Sequence, residues 1–242
     1  MRGHLGGIDH AMILVRDLDR ACETYARMGF TLTPRGLHSL GSQNHCIMFG
    51  RDYLELMALP AVPPAALQYH ADFLSKREGV GGLALATEDA VAAHAELTRT
   101  GIAAEAPLAL SRPVENLGVA RFTLVQLPPA ETPGFRTFVC QHHTRDIVWR
   151  PEYQRHANGV GGIKSITIAS ADPERYARLL EGIPVKYARA DAPSIAAIRL
   201  QVDDKQATAD SLKRGGFSFV TLKDGALVVP AAEAHGVMLV FG

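Results

Sequence analysis

Three times along this chain a Gly-Gly pair opens a short apolar run, and each run leads to an acidic or small residue and an amphipathic stretch. The pairs are Gly6-Gly7, Gly81-Gly82 and Gly161-Gly162. Repetition at this period marks a supersecondary unit copied along the chain, and it constrains the fold more than any local propensity does. In the first unit residues 8–15 read as a strand. Asp17 then precedes Leu18, Ala21, Cys22, Tyr25 and Met28 at helical spacing, and Gly29 ends the pattern. The second unit repeats this with a strand over 83–87, Asp89, a helix over 90–100 and Gly101. The third has a strand over 163–169, Asp172-Pro173, a helix over 174–181 and Gly182. A fourth, shorter copy has a strand over 195–202, a helix over 204–214 and Gly215-Gly216. Further strand-like runs follow the helices: 31–33, 45–49 and 53–57 after the first, 103–110, 120–127 and 135–140 after the second, and 217–222, 226–229 and 237–241 after the fourth. The unit is βαβββ, and the expected fold class is α+β with mixed sheets. One helix per unit covers one sheet face, so the other face must meet a neighbouring unit or line a cavity. The expected organisation is residues 1–143 as two paired units, 144–159 as a linker rich in Arg, Pro, Asn and His, and 160–242 as a degenerate C-terminal βαβββ half.

Charge and composition remove several function classes. Lys+Arg and Asp+Glu are both 25, so no basic excess exists to neutralise a nucleic-acid backbone. No apolar run reaches the roughly 18–20 residues that a membrane helix needs. The N-terminus has no signal-peptide apolar region, and Cys22, Cys46 and Cys140 are too few and too scattered for a disulfide framework. The expected setting is the cytoplasm, with no nucleic-acid or membrane partner.

Against that background a few polar residues stand out. His10 lies in an apolar strand with Ile8, Met12 and Leu14 on its face by period two, and a buried imidazole must be hydrogen-bonded or ligated. Glu55, between Leu54 and Leu56, faces a desolvation cost unless paired, protonated or coordinated. Imidazole plus carboxylate suits Zn, Fe, Mn, Ni or Co. The competing readings are a satisfied core histidine and an ion pair with an arginine. His142 is the candidate third ligand, set against an exposed strand-end pair with His143. Glu55 is also the candidate general base. His38 and Asn44, in a Gly-containing segment, and Arg121 are candidate substrate contacts. Cys46 and Cys140 read as inert core thiols. Met12, Leu14, Met48 and Met57 are candidate liners of an apolar cup. No dinucleotide fingerprint, phosphate loop or nucleophile elbow is present.

The segments Gly7-Ile8-Asp9-His10-Ala11-Met12-Ile13-Leu14-Val15, Asp17-Leu18-Asp19, Met28-Gly29-Phe30 and Tyr53-Leu54-Glu55-Leu56 resemble the vicinal oxygen chelate superfamily. With His38-Ser39-Leu40-Gly41-Ser42-Gln43-Asn44-His45, the first unit is similar to its glyoxalase-like subgroup. The resemblance is close over residues 4–60 and a matter of pattern elsewhere. It implies cup-shaped mixed sheets of the glyoxalase/bleomycin resistance/dioxygenase kind. It also implies a divalent metal held by first-strand His and last-strand Glu, here His10 and Glu55, and a small oxygen-rich organic substrate. A lyase, isomerase or dioxygenase reaction follows from that, or ligand sequestration without metal in the drug-binding branch. Ser165 stands where the third unit would repeat His10, and Val240 where the last strand would repeat Glu55; a small residue or Leu85 takes the place in the second unit. A homodimer is expected for paired-unit members of the superfamily, whereas four units in one chain complete a pseudo-dimer internally.

Overall fold

A computed structural model of the chain describes residues 3–114 and 117–242. Strand β1 (Ile8–Leu14), helix α1 (Leu18–Arg27) and strands β2 (Gly36–Leu37), β3 (Gln43–Met48) and β4 (Tyr53–Ala58) make the first unit. Helix α2 (Gln68–Lys76) leads into the second: β5 (Gly79–Ala86), α3 (Ala90–Arg99), β6 (Leu108–Val114), β7 (Gly118–Gln126) and β8 (Arg136–His142). After the short helix α4 (Arg145–Val148) come β9 (Val160–Ala169), α5 (Glu174–Leu179) and β10 (Val185–Ala188). The chain ends with β11 (Ser194–Val202), α6 (Lys205–Arg214), β12 (Val220–Thr221), β13 (Leu227–Val229) and β14 (Met238–Phe241).

The strands form an eight-stranded sheet in the order β2-β3-β4-β1-β5-β8-β7-β6 and a six-stranded sheet in the order β10-β9-β11-β14-β13-β12. Within each complete unit the first strand runs parallel to the last, as β1 does to β4 and β5 to β8, while β1 and β5 join antiparallel. The larger sheet curls until its edge strand β6 comes beside the opposite edge, β2. The fold is α+β with nearly closed mixed sheets, as the repeat requires.

Helix caps set the register of the repeat. Asp17 accepts from Arg20 N at 3.0 Å, Asp89 from Ala92 N at 2.9 Å, and Asp204 from Ala207 N at 3.0 Å. Each such cap contributes about 1 kcal/mol. Counting back ten residues from Asp17 and from Asp89 reaches Gly7 and Gly79, whose φ of 115° and 135° only glycine adopts freely. The counterpart of Gly7 is therefore Gly79. The Gly81-Gly82 pair is three residues out of register, inside β5, where a Cβ on Gly82 would lie 3.2 Å from that of Met12. The third unit is cut short: β10 pairs in parallel directly with β9, and the two intervening strands are missing. Residues 31–33 form no strand, and β6 begins only at Leu108.

The main core lies between the outer faces of the two sheets, where the helices pack. Ile13, Tyr25, Leu54 and Leu83 of the first sheet's units share it with Ile166, Tyr176, Ile198 and Leu212. Phe135 stacks on Tyr176 at 5.7 Å, and Tyr25 Oη donates to Ala234 O at 3.3 Å across the same junction. The segment expected as a linker is partly core: Val148 and Trp149 are buried, and Asn158 Nδ2 donates to Met28 O at 3.0 Å. No helix among the described residues is long and apolar enough to cross a membrane.

Candidate metal and substrate site

The inner face of the larger sheet is left free by this packing, and alternation decides what it carries. Leu54 and Leu56 of β4 enter the main core, so Tyr53, Glu55 and Met57 point inward. By the same rule Asn44, Cys46 and Met48 come from β3, and Phe138, Cys140 and His142 from β8. From β1 come His10, Met12 and Leu14. Asp9 departs from alternation. Ile8 pairs with Leu85 and His10 with Ala84, so Asp9 is an extra residue at a β-bulge. The bulge turns its carboxylate to the same side as His10, where Asp9 Oδ1 lies 2.6 Å from His10 Nδ1 and 3.1 Å from His142 Nε2.

Met12 pairs with Glu55 in the parallel β1–β4 ladder, one inward position from His10. His10 Nε2 accordingly stands 3.6 Å from Glu55 Oε2. That separation is too long for a hydrogen bond. Two donors bound to one ion at roughly 2.1 Å with a tetrahedral angle are about 3.4 Å apart, which matches it. Asn44 Nδ2 donates to Glu55 Oε1 at 2.7 Å, fixing the carboxylate and leaving Oε2 toward the histidine. His38 Nε2 lies 3.8 Å from Oε1, with its Nδ1 on Ser42 Oγ at 2.9 Å. Among the described residues Glu55 has no arginine partner, and its side chain is 7% exposed.

Burial pushes the Asp9 carboxyl upward, but hydrogen bonds and charge from His10 and His142 outweigh it and hold the group at about 2. Asp9 is thus an ionised acceptor for the His10 Nδ1–H, and the other imidazole nitrogen, Nε2, faces Glu55. An imidazole nitrogen and a carboxylate oxygen turned toward each other at this distance share a cation or a proton. This chain's donor set therefore fits a divalent ion held by His10 Nε2 and Glu55 Oε2, with Asp9 orienting the imidazole from behind. A second set shares the acid: ligand atoms of Asp9, Cys140 and His142 all lie within 4.8 Å of one another. His142 Nδ1 is buried without a partner among the described residues, as an available ligand atom would be. Cys140, read from sequence as an inert core thiol, is part of this cluster, although burial raises its pKa well above the usual value.

Two apolar plugs enclose the group. Trp149 and Val148, in and just after α4, pack on Cys46, Met48, Tyr53 and Ala120. Phe73 and Leu74 of α2 pack on Met12, Leu14 and Met57. His10 is stacked on Tyr53 at 4.3 Å, and His142 meets Trp149 edge-on at 4.7 Å. A crevice of about 780 Å³ lies elsewhere, lined by Arg16, Glu78, Phe217 and His235, and none of these acids and imidazoles reaches it.

The sequence candidates His10, Glu55, His38 and Asn44 come together here. His142 is buried and reaches Asp9, whereas His143 turns outward to Thr123 Oγ1 at 2.8 Å. Arg121 is exposed on the outer face and stays apart from the group. Opposite its inward neighbour Ala120 sits Arg112, which does face the cup. Three further residues escaped the sequence reading. Asp9 was hidden by the bulge, although an acid in an apolar strand is itself a signal. Arg112 was hidden in an unremarkable edge strand. His70 of α2 lies close enough to Arg136 and Glu55 to feel both, and burial, then Arg136, push its pKa down to about 4. Its Nδ1 is buried without a partner among the described residues.

The cap register also locates the second unit's counterparts. Gly82 stands in the place of His10 and Phe138 in that of Glu55, because Ala84, the counterpart of Met12, pairs with Phe138. In the smaller sheet Ser165 and Ala197 take the histidine place and Val240 the glutamate place. Only the first unit keeps the pair.

A curled mixed sheet of paired βαβββ units, with an acid–histidine group on its inner face, defines a vicinal-oxygen-chelate type of fold. Residues 8–184 match the glyoxalase-like domain, and the chain belongs to that family. Among solved structures it is similar to a hypothetical protein from Staphylococcus aureus, with 11% identity, a TM-score of 0.72 and 98% of each chain covered. It is also similar to a 4-hydroxymandelate synthase variant from Streptomyces coelicolor, with 12% identity, a TM-score of 0.67, and 98% and 92% covered. Homoprotocatechuate 2,3-dioxygenase from Brevibacterium fuscum follows at 14% identity and a TM-score of 0.61, with 98% and 80% covered. Likeness at these identities is likeness of fold. No curated protein matches the sequence.

Proposed function

We propose that this protein is a divalent-metal-dependent enzyme of the lyase, isomerase or dioxygenase type, acting on a small oxygen-rich organic substrate. One observation carries the reading: His10 Nε2 and Glu55 Oε2 face each other at 3.6 Å with the opposite imidazole nitrogen held by Asp9. A bound ion supplies Lewis acidity, polarising adjacent oxygens of the substrate. The protein's own residues do the rest. Asp9 keeps the His10 proton on Nδ1, and Asn44 keeps Glu55 turned toward the histidine. His38, 3.8 Å from Glu55 Oε1 and less buried than His10, would exchange a proton with a substrate oxygen in this reading. The plugs around Trp149 and Phe73 exclude water, which strengthens each of these interactions. The fold neighbours include proteins named as a 4-hydroxymandelate synthase and a homoprotocatechuate 2,3-dioxygenase, which supports this range of chemistry without choosing within it. Metal analysis of protein purified without chelator tests the reading. The expected result is about one bound divalent ion per chain, lost in His10→Ala and Glu55→Ala; metal-free wild-type protein overturns it.

A second reading rests on the counterparts. Gly82, Phe138, Ala197 and Val240 offer no side-chain ligand atoms and Ser165 only a hydroxyl, so no other unit repeats the imidazole–carboxylate pair at the equivalent places. A metal-free protein that sequesters a small ligand in the same cup needs only the enclosure. The wild-type metal content separates the two.

A further inference from the structure

We infer that the cup takes a small organic acid and that Arg112 anchors its carboxylate. The inference deepens the functional reading above, and rests on it for the cup being a substrate site.

The argument starts at the seam where β6 meets β2. Arg112 lies opposite Ala120 in the β6–β7 ladder, and Ala120 is fully buried against the Cys46, Met48, Tyr53 and Trp149 cluster, so both point inward. The guanidinium reaches across to β2, where a Cβ on Gly36 would lie 3.4 Å from its Nη1 and would collide with Asn44 Oδ1. Glycine at position 36 is thus what leaves room for the Asn44 side chain beside the arginine. Arg112 has neither a carboxylate nor a carbonyl partner among the described residues, and its charge is felt by His38 and Cys46. The other inward guanidinium, Arg136, is engaged with Gln126 and lies over the Tyr69 ring.

A half-buried guanidinium without an anion is an incomplete arrangement, because its planar fork is matched by a carboxylate held by two hydrogen bonds. The two carboxylates in the cup already have partners: Asp9 bonds His10 and His142, and Glu55 bonds Asn44. Among the described residues no anion is left for Arg112, and the carboxylate of a ligand would supply it. The seam is the side on which Arg112 and His38 are partly exposed, so a ligand entering there meets the arginine first. Its carboxylate stays at Arg112, and its other oxygens extend past His38 toward His10 and Glu55.

Benzoate and benzamide, alike in shape and different in charge, test this. Trp149 is the chain's one tryptophan and packs in the cluster that contains Ala120, so its fluorescence reports on occupancy. Wild-type protein should bind benzoate at least tenfold more tightly than benzamide. Arg112→Met should bring the two within twofold of each other. Arg112→Lys, which keeps the charge and loses the fork, should lie between them, and serves if the methionine variant does not fold. The His10→Ala/Glu55→Ala double variant should keep the preference. Equal binding of both probes by wild type, or an undiminished preference in Arg112→Met, overturns the proposal. The metal reading fails separately: wild type without bound ion but with an Arg112-dependent preference sinks that reading and leaves this one standing.

Discussion

Asp9 and His10 are neighbours in one β-strand, yet their side chains are on the same side and in contact, Oδ1 to Nδ1, at 2.6 Å. Regular pleating forbids this, and the bulge at Asp9 permits it. The consequence is that the imidazole cannot rotate freely and must present Nε2 to Glu55. If the ion binds as proposed, Asp9→Asn should weaken divalent-metal affinity by about 10–100-fold while leaving the fold intact, since the asparagine is a weaker partner for Nδ1–H. Competition against a chelator of known affinity measures it. An unchanged affinity would show that Asp9 does not act through His10.

Trp149 plugs one end of the cup from a segment outside both sheets. Replacing it with alanine removes a large buried side chain from contact with Tyr53, Met48 and His142. The expected loss is about 3–5 kcal/mol in denaturant unfolding. A loss under about 1 kcal/mol would mean that the plug is loosely seated and the cup opens readily.

Asp52 joins the halves: its Oδ1 accepts from Ile163 N at 2.9 Å. Burial raises its pKa to about 6 against the opposing pull of that hydrogen bond. The native state therefore holds a proton that the unfolded chain releases near pH 4. Between about pH 4 and 6 the native state binds more protons, so stability falls as pH rises, by about 2–3 kcal/mol at most for this group. Asp52→Asn keeps the acceptor and removes the ionisation. Urea unfolding at pH 4.5 and 7 should show this component of the pH dependence in wild type and not in the variant.

Gly134 adopts a φ of 94°, and a Cβ there would collide with the carbonyl oxygen of Pro193 from the other half. Neither backbone can yield without moving a half. Gly134→Ala should cost at least about 1–3 kcal/mol from conformation alone. An unchanged melting temperature would show that the junction is compliant.

Much of this molecule is local in origin and is legible in the chain. The helices begin where Asp17, Asp89 and Asp204 cap them, and Leu54 and Leu56 bracket Glu55 in a pattern that sends the acid to the opposite face. His10 and Glu55 stand out because a polar group in an apolar strand must find a partner wherever the strand goes. What joins that pair beyond the sequence candidates His38, Asn44 and His142 depends on relations no spacing encodes. Asp9 joins His10 because pairing with β5 slips by one residue. Arg112 replaces Arg121 at the inner face because the β6–β7 register puts Arg112 opposite Ala120. Gly82 takes the histidine place because the strand is measured from its helix cap and not from its glycine pair. Trp149 and His70 arrive from connecting segments whose path is set by the sheet they cover. Period and capping act within a few residues and so are written in order along the chain. Register, bulges and the closure of a curled sheet are settled by which surfaces can be buried together, and only the folded chain decides that.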